Sequence, residues 1–350
     1  MATTPRWART TERIERICAA RLNARELRLE VLAQLRTVIG FDAYAWLITD
    51  PETEVGGSPL ADVPCLPELP TAIRLKYLTP VNRWTQLAGA AAGLWQVTEG
   101  NLDRSRFWRE LLSQYGIDDV LSAVFRDRHG CWGFLDLWRA GGRFEPGEIS
   151  FLARLAGPLA RALRRAVALS FTADGPAFEG GPMILLLGPD LSVRAQTAPT
   201  SAALRLLVPP ARDDAPIPAG AYNVAAQLLA REAAVDDHPA VARVHLDAGR
   251  WVTLRAARIG PDQPAGGDGD LAVSIERTGP AARAEVFGRS YGLSPRERQL
   301  LITLGGGPDT RDLAARLYLS EHTVQDHLRS IFDKTGLRSR SALVGRAFGP

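Results

Sequence analysis

Between Leu293 and Phe348 the chain carries helix-start and helix-stop signals spaced so closely that only short, crossed helices fit. Ser294-Pro295-Arg296-Glu297 meets three start rules at once. Ser294 offers an oxygen to free N–H groups, Pro295 suits the first helical position, and Glu297 closes a capping box. Leu300, Leu301 and Leu304 give that helix its apolar face, and Gly305-Gly306-Gly307 stops it. Asp309 or Thr310 caps a second helix holding Leu313, Ala314 and Leu317. After the connection Tyr318-Leu319-Ser320, Ser320 caps a third helix ending at Gly336, and Ser339 caps a fourth reaching about Phe348. The expectation is an all-α four-helix module over 288–350.

The third helix is amphipathic at the helical period. Val324, Leu328 and Ile331 fall on one stripe; His322, Gln325, Asp326, Arg329 and Asp333 fall on the other. Leu313, Ala314 and Leu317 supply a surface for the apolar stripe, and small Ala314 permits close approach. A helix presented this way fits the major groove of duplex DNA, where its N-terminal half meets base edges.

The segments LSPRERQLL, DLAARLYLSEHTVQDHLRSIFDKTG and LRSRSALV resemble the LuxR-type helix-turn-helix over nearly all of 288–348, in the form found in regulators from GC-rich actinobacteria. The resemblance implies that residues after Val324 read bases, here Gln325, Asp326 and Arg329. Many members carry lysine at the position of Gln325 and an apolar residue at that of Asp326, so no operator sequence transfers. Arg329 suits guanine O6 and N7, and Gln325 suits adenine N6 and N7. Asp326 either accepts from cytosine N4 or orients Arg329, and Arg329 is alternatively a solvated arginine paired with Asp326 or Asp333. Thr310, Ser320 and Thr323 are helix-terminus residues with phosphate contact as a compatible second role. Lys334 completes the DNA-binding set. His327 flanks the apolar stripe and reads as packed.

Charge agrees modestly. Within 288–350 ten Arg plus Lys stand against six Asp plus Glu, an excess of +4, while the whole chain carries only +3. Positive charge is therefore local, and a single module this weakly charged calls for a homodimer on two half-sites. Nearly all the positive charge is arginine, lysine occurring only at Lys76 and Lys334, which suits phosphate recognition and equally reflects a GC-rich genome.

The 46% hydrophobic and 23% charged content excludes a disordered chain, and 350 residues suggest two to three domains. Stretches at 170–182 and 279–290 read as boundaries, while Pro- and Gly-rich loops at 209–220 and 260–269 read as internal. The resulting division is 1–170, 181–279 and 288–350. In the first segment the pattern is one helix over 12–36, a buried strand over 41–49, helices over 69–78 and 107–115, strands over 120–126 and 131–138 around the turn 127–130, and a closing helix over 146–169. GFDAYAWLITD, the hairpin VLSAVFRDRHGCWGFLDLWR and the closing helix resemble, in pattern, an α+β GAF domain over about 12–168. The NKFDE signature of cyclic-nucleotide-binding members is missing, so no ligand is named. The middle segment, with strands at 183–187, 191–196, 241–246, 251–256 and 271–276 and helices at 200–207 and 224–230, is similar to an α+β PAS-like domain or is a family-specific linker domain.

Trp46, Trp84, Trp95, Trp108, Trp132 and Trp138 all lie in the first segment, as core filling, a dimer face or the wall of an apolar ligand pocket. Leu152, Leu155, Leu159 and Leu163 on the closing helix offer a dimer surface. The partners expected are double-stranded DNA, a second copy, RNA polymerase and a small molecule at the N-terminal domains.

An enzyme finds little support. None of His129, His238, His245, His322 and His327 sits in a paired-ligand spacing, and there is no GxSxG elbow, GxxxxGK[ST] loop or GxGxxG after a strand. No catalytic residue, metal or cofactor is expected; haem ligation by His238 and His245 is set aside for simple packing. Asp118-Asp119 precedes a strand instead of following one, against a phosphorylated receiver domain. Acyl-homoserine-lactone sensing, and a sensor-domain interaction protein or enzyme using its helix-turn-helix for protein contacts only, stand as alternatives. Cys18, Cys65 and Cys131 form no CxxC pair, and no apolar run is long enough to span a bilayer, which suits a cytoplasmic protein.

Overall fold

The computed structural model describes residues 5–172, 181–207, 217–247, 249–260 and 269–349. Of the expected boundary and loop stretches at 170–182, 209–220 and 260–269, residues 173–180, 209–216 and 261–268 lie outside the described residues.

In chain order the first unit comprises α1 (Pro5–Ala19), α2 (Ala24–Arg36), β1 (Ala43–Thr49), β2 (Gly56–Asp62), α3 (Leu69–Leu78), β3 (Ala91–Gly93), α4 (Leu94–Val97), α5 (Arg106–Glu110), β4 (Ile117–Asp127), β5 (Gly130–Ala140) and α6 (Pro146–Ala168). Its strands form one antiparallel sheet in the order β2-β1-β5-β4-β3. The second unit follows: β6 (Met183–Leu187), β7 (Val193–Gln196), α7 (Ala198–Leu207), α8 (Ala219–Glu232), β8 (Val241–His245), β9 (Trp251–Arg258) and β10 (Leu271–Arg277). Its antiparallel sheet has the order β7-β6-β10-β9-β8. The remaining helices are α9 (Pro280–Ser290), α10 (Pro295–Leu304), α11 (Thr310–Leu317), α12 (Glu321–Thr335) and α13 (Arg340–Phe348). The chain is thus multidomain, two antiparallel sheets with helices and a C-terminal helical module.

One of the helical expectations is corrected. The single helix over 12–36 is a helical pair, because Asn23 accepts from the N–H groups of Arg25 and Glu26 while Glu26 caps back onto Asn23. That capping box starts a new helix where leucine periodicity alone runs on. The stretch 279–290, expected as a boundary, is helical (α9); Pro280 starts it, and Ala284, Val286 and Phe287 are buried.

Alternation along β5 distributes its side chains between two cores. Leu135 and Leu137 join the α2 and α6 side, with Leu27, Leu32, Leu152 and Leu159. Phe134 faces the core shared with the second unit. Leu152, Leu155, Leu159 and Leu163 are 0–2% exposed, so the proposed dimer stripe on α6 is interior to the chain. Of the tryptophans, Trp46 and Trp132 are core, while Trp95 is 36% exposed.

Helix α8 is buried all round from Ala219 to Gln227. A helix of that kind must be covered on every side, and here the second sheet lies on one side and β2 and α3 on the other. Glycines permit the approach. A Cβ on Gly57 would sit 2.5 Å from Val244 Cγ2, and one on Gly220 3.0 Å from Gly57 O, so larger residues there would push the layers apart.

Polar bonds cross the same seam. Arg83 Nε lies 2.9 Å from Asp236 Oδ2 with both side chains almost wholly buried, and its Nη2 donates to Gln227 Oε1. Arg243 clamps Asp50 at 2.6 and 2.7 Å. Asp236 also accepts from His238; burial opposes its ionised form, but these bonds win and hold it well below the usual carboxylate range.

The C-terminal module is joined to both units at an aromatic junction. Phe171 stacks on Trp251 of β9 at 4.7 Å and meets Phe287 of α9 edge-on at 5.3 Å. Around it, Arg164 Nη1 donates to Ser290 O, Tyr291 Oη to Ala168 O and Arg346 Nη1 to Phe171 O.

Candidate nucleic-acid interface

Helix α10 begins as its sequence dictates. Ser294 Oγ accepts from Glu297 N at 3.3 Å, and Glu297 Oε2 accepts from Ser294 N at 2.6 Å. The same carboxylate binds α12, accepting from Ser330 Oγ at 2.6 Å and from Lys334 Nζ at 2.6 and 2.7 Å. Burial alone would raise the Glu297 carboxyl, yet bonds from Lys334, Ser330 and Ser294 outweigh it and bring its pKa down to about 2. One capping glutamate therefore fixes the angle between α10 and α12.

Asp309 caps α11, accepting from Asp312 N at 2.8 Å. The helix ends on Tyr318, a non-glycine residue at φ 54° that is 94% exposed. Left-handed backbone costs such a residue roughly 1–2 kcal/mol, and the turn it makes delivers Ser320 to the start of α12. Ser320 Oγ then accepts from Thr323 N at 3.1 Å and shares a 2.8 Å bond with Thr323 Oγ1. Gly336 ends α12 at φ 70°.

Val324, Leu328 and Ile331 are 0–4% exposed against α10 and α11. On the outer edge Gln325, Asp326 and Arg329 lie together in solvent, the Arg329 side chain 73% exposed. Asp326 sits 3.1 Å from Arg329 and 3.4 Å from His322. The carboxylate is thus paired with Arg329 on the exposed edge of α12. Among the described residues, nothing buries Gln325, Asp326 or Arg329.

Of the other sequence candidates, Ser320 and Thr323 stand at the N-terminus of α12. Thr310 stands at that of α11, where its Oγ1 accepts from Arg340 Nη2 at 2.7 Å. Lys334 is apart from them, on the last turn of α12 with its ammonium on Glu297. Arg340, held beside Thr310, and Tyr318, exposed beside the cap, are two neighbours that the sequence reading passes over. Tyr318 had a signal: a tyrosine occupies the C-terminal helix position that favours glycine.

Residues 292–347 match the family described as "Bacterial regulatory proteins, luxR family". A probable HTH-type transcriptional regulator, GfsR of Streptomyces halstedii, is 33% identical over 86 residues, 22% of this chain and 35% of that protein. The probable transcriptional regulatory protein SgaR of Hyphomicrobium methylovorum is 40% identical over 52 residues, 15% of this chain and 25% of that protein. The chain thus spans about a third or less of the length of these two relatives. A crystal structure of Escherichia coli SdiA aligns with 97% of this chain and 96% of its own at 12% identity, with a TM-score of 0.34. Among the described residues no helix is long and apolar enough to cross a membrane, and no His, Cys, Asp or Glu cluster is arranged to hold a metal ion.

Proposed function

Because residues 292–347 belong to the luxR family of bacterial regulatory proteins, we propose that the whole chain is a sequence-specific transcription regulator acting on duplex DNA. Helix α12 enters the major groove, with Gln325, Asp326 and Arg329 toward base edges and Thr310, Ser320 and Thr323 toward phosphates. Lys334 adds charge at the far end of the helix while positioning it through Glu297. The observation that carries this reading is the helix itself: a luxR-family element with its apolar edge buried and its polar edge open.

Energetics favour a switch of partners by Arg329. Its exposed pair with Asp326 is worth about 0.2–1 kcal/mol, whereas a bidentate contact with guanine discriminates by about 1–3 kcal/mol. The DNA contact wins.

The division 1–170, 181–279 and 288–350 assigns a GAF-like sensor, a PAS-like middle domain and the DNA-binding domain. Two five-stranded antiparallel sheets flanked by helices support the first two readings. A homodimer on two half-sites supplies the affinity that a module of charge +4 lacks. In this reading the protein works in the cytoplasm, where its DNA is, and the sensor units adjust DNA binding in response to a small molecule.

Selection of duplexes from a random pool by the purified chain tests the proposal; the expected result is an enriched palindrome. Arg329→Ala is expected to weaken binding to that site by about 1–3 kcal/mol and relax one base position per half-site. An unchanged footprint in the variant contradicts the assigned orientation, and no duplex retained at low salt removes the reading altogether. Ultracentrifugation showing a monomer with and without DNA removes the dimer.

A further inference from the structure

A cavity of about 410 Å³ lies where α2, β1, β2 and the end of α6 in the first unit meet β8 of the second. Small-molecule sites run from about 300 to 1,000 Å³. Trp251, a member of the aromatic junction, and Val286 of α9 also line it. The wall therefore draws on both units and on the helix that leads into the C-terminal module. Val167, Val244 and Leu246 give it an apolar side. Its charged side chains are Arg25, Arg28 and Arg243, and among the described residues no Asp or Glu lines it.

The three arginines are not equivalent. Arg243 is answered by Asp50 at 2.6 Å and Glu52 at 2.8 Å. Arg28 is 3% exposed and meets no carboxylate among the described residues. Its Nε donates to Ala24 O at 2.9 Å, and its Nη1 donates to Trp46 O at 2.7 Å and Ser58 O at 3.0 Å. Nη2 has no partner among the described residues, and it is not one of the unbonded polar atoms sealed from accessible space. Burial, and then the charge of Arg25, lower this guanidinium to about 9. Arginine is seldom so enclosed without a counter-charge. Lys76 and Arg83, similarly buried, each face an aspartate. Arg283 lacks one too, but both its Nη atoms donate to carbonyls and its guanidinium lies over the Phe171 ring. Holding the carbonyls of β1 and β2 needs donors, not a buried charge. Arg25, exposed one turn earlier on α2, adds a second cation without an acidic partner among the described residues. The His245 imidazole, lowered to about 4 mainly by burial, is neutral near pH 7 and leaves that charge count unchanged.

We propose that this cavity binds an organic carboxylate, a single negative charge on an apolar body. The carboxylate accepts from Arg28 Nη2 and from the Arg25 guanidinium, and the body lies against Val167, Val244, Leu246 and Trp251. Hydrogen bonds between two ionised groups are the strong ones, and here one of them supplies the counter-charge that Arg28 lacks. One charge fits better than two. Only Arg28 is buried, whereas Arg25 is screened by water, so a dianion would carry an unanswered charge out of solvent. The ligand touches both units and α9, where occupancy bears on how the C-terminal module is seated. The inference deepens, and rests on, the sensor part of the proposed function.

The probe is 4-phenylbutyrate, with 4-phenylbutanamide as its neutral analogue of equal length. Calorimetry on the full chain measures binding, and tryptophan emission, to which Trp251 in the wall contributes, is a second readout. Saturable binding of phenylbutyrate is expected, at least tenfold tighter than the amide and at least tenfold weaker in Arg28→Met. Methionine keeps an unbranched side chain without the charge, and a retained cooperative melt shows that the variant folds. Arg25→Ala, at an exposed position, is expected to weaken binding at least threefold and decides the matter if Arg28→Met does not fold. No saturation with phenylbutyrate, equal binding of the amide, or undiminished binding to either folded variant overturns the proposal. Duplex retention by the same preparation separates the two readings: a chain that holds DNA yet ignores phenylbutyrate loses only the cavity assignment.

Discussion

In the C-terminal module the polar side chains of interest lie on the outside, on one edge of α12, and the buried interior is mostly aliphatic. In the N-terminal pair of sheets the arrangement is reversed: Lys76, Asp136, Arg83, Asp236, Asn223 and Gln227 are all buried. An outward polar edge needs only a rigid platform, so caps and a small core suffice. Polar groups turned inward must each find a partner, and Arg83, Asp236 and Gln227 do so across the seam between the two units, as Arg243 and Asp50 do. The first design suits reading a charged surface such as DNA. The second suits holding two layers in one geometry around an enclosed space. The comparison is sharpest where groups can be removed or titrated one region at a time.

The largest effect is expected at the seam. Arg83→Ala takes the guanidinium from the buried Asp236 carboxylate and leaves it His238 and Thr85, and breaking a buried pair from one side costs about 3–5 kcal/mol. All eight tryptophans lie in residues 1–279, so urea denaturation followed by their emission reports this region and not α10–α13. A loss below 1 kcal/mol would show that the seam bears no such strain and that the contrast is overdrawn.

Acid distinguishes the regions next. Burial, with Arg283 and Arg250 nearby, lowers the His245 imidazole to about 4 despite the opposing pull of Asp247. Below the ordinary value of about 6.5 the unfolded chain takes up a proton that the folded chain refuses. Stability at His245 is therefore full above that value and falls as pH drops toward 4, by on the order of 3 kcal/mol. Glu297 works lower on the scale. Its carboxyl, depressed to about 2, contributes stability above its ordinary value of about 4.5, and that contribution is lost as pH falls through the interval. Tryptophan emission is expected to shift between pH 6.5 and 4, ahead of the loss of amide-exchange protection in α10–α12 below about 4.5. Simultaneous loss of both signals above pH 5 would mean that the aromatic junction at Phe171 and Trp251 makes the regions one cooperative unit.

The two regions also differ in how far they can be read from sequence. Caps and stops of α10–α13 are local, so Ser294, Asp309, Ser320 and Ser339 mark the helix starts directly. The β4–β5 hairpin and α3 are legible for the same reason, through alternation and an apolar run. Strand β2 is not: Gly56-Gly57-Ser58-Pro59 has turn composition and becomes strand only by pairing with β1 under α8. Within the candidate site, Gln325, Asp326 and Arg329 follow from helical periodicity. The bonds Glu297–Lys334 and Thr310–Arg340 join residues 37 and 30 positions apart, and helix period is silent at that range. Asn223 is hidden more deeply still, since its missing partners show only once both units are assembled.

That missing partner gives the third test. A buried amide with no hydrogen bond carries a desolvation penalty of about 1–3 kcal/mol. Asn223→Leu is therefore expected to raise the stability of the ligand-free chain by up to that amount, against the ordinary trend for core substitutions. Thermal denaturation of the two proteins in parallel measures it. A destabilised variant would mean that Asn223 is satisfied in solution and that the inward-facing region has no open polar group to contrast with α12.

The smallest effect separates two roles of a single hydroxyl at the outward edge. Ser320 Oγ caps α12 through Thr323 N, and in the proposed function it also faces phosphate. Ser320→Ala is expected to cost about 1 kcal/mol of stability, and Ser320→Gly only a few tenths, because glycine is itself a good cap. Both variants lack the hydroxyl equally. If Ser320 touches phosphate, operator affinity of the folded proteins falls to the same extent in the two variants, whatever their stabilities. If it only caps, affinity follows stability, with alanine the weaker binder and glycine close to the parent. Operator titration at a temperature where both variants remain folded decides between the two. Equal loss would tie the outward edge to DNA at its first turn; a loss that tracks the cap would take Ser320 out of the phosphate contacts and leave them to Thr310 and Thr323.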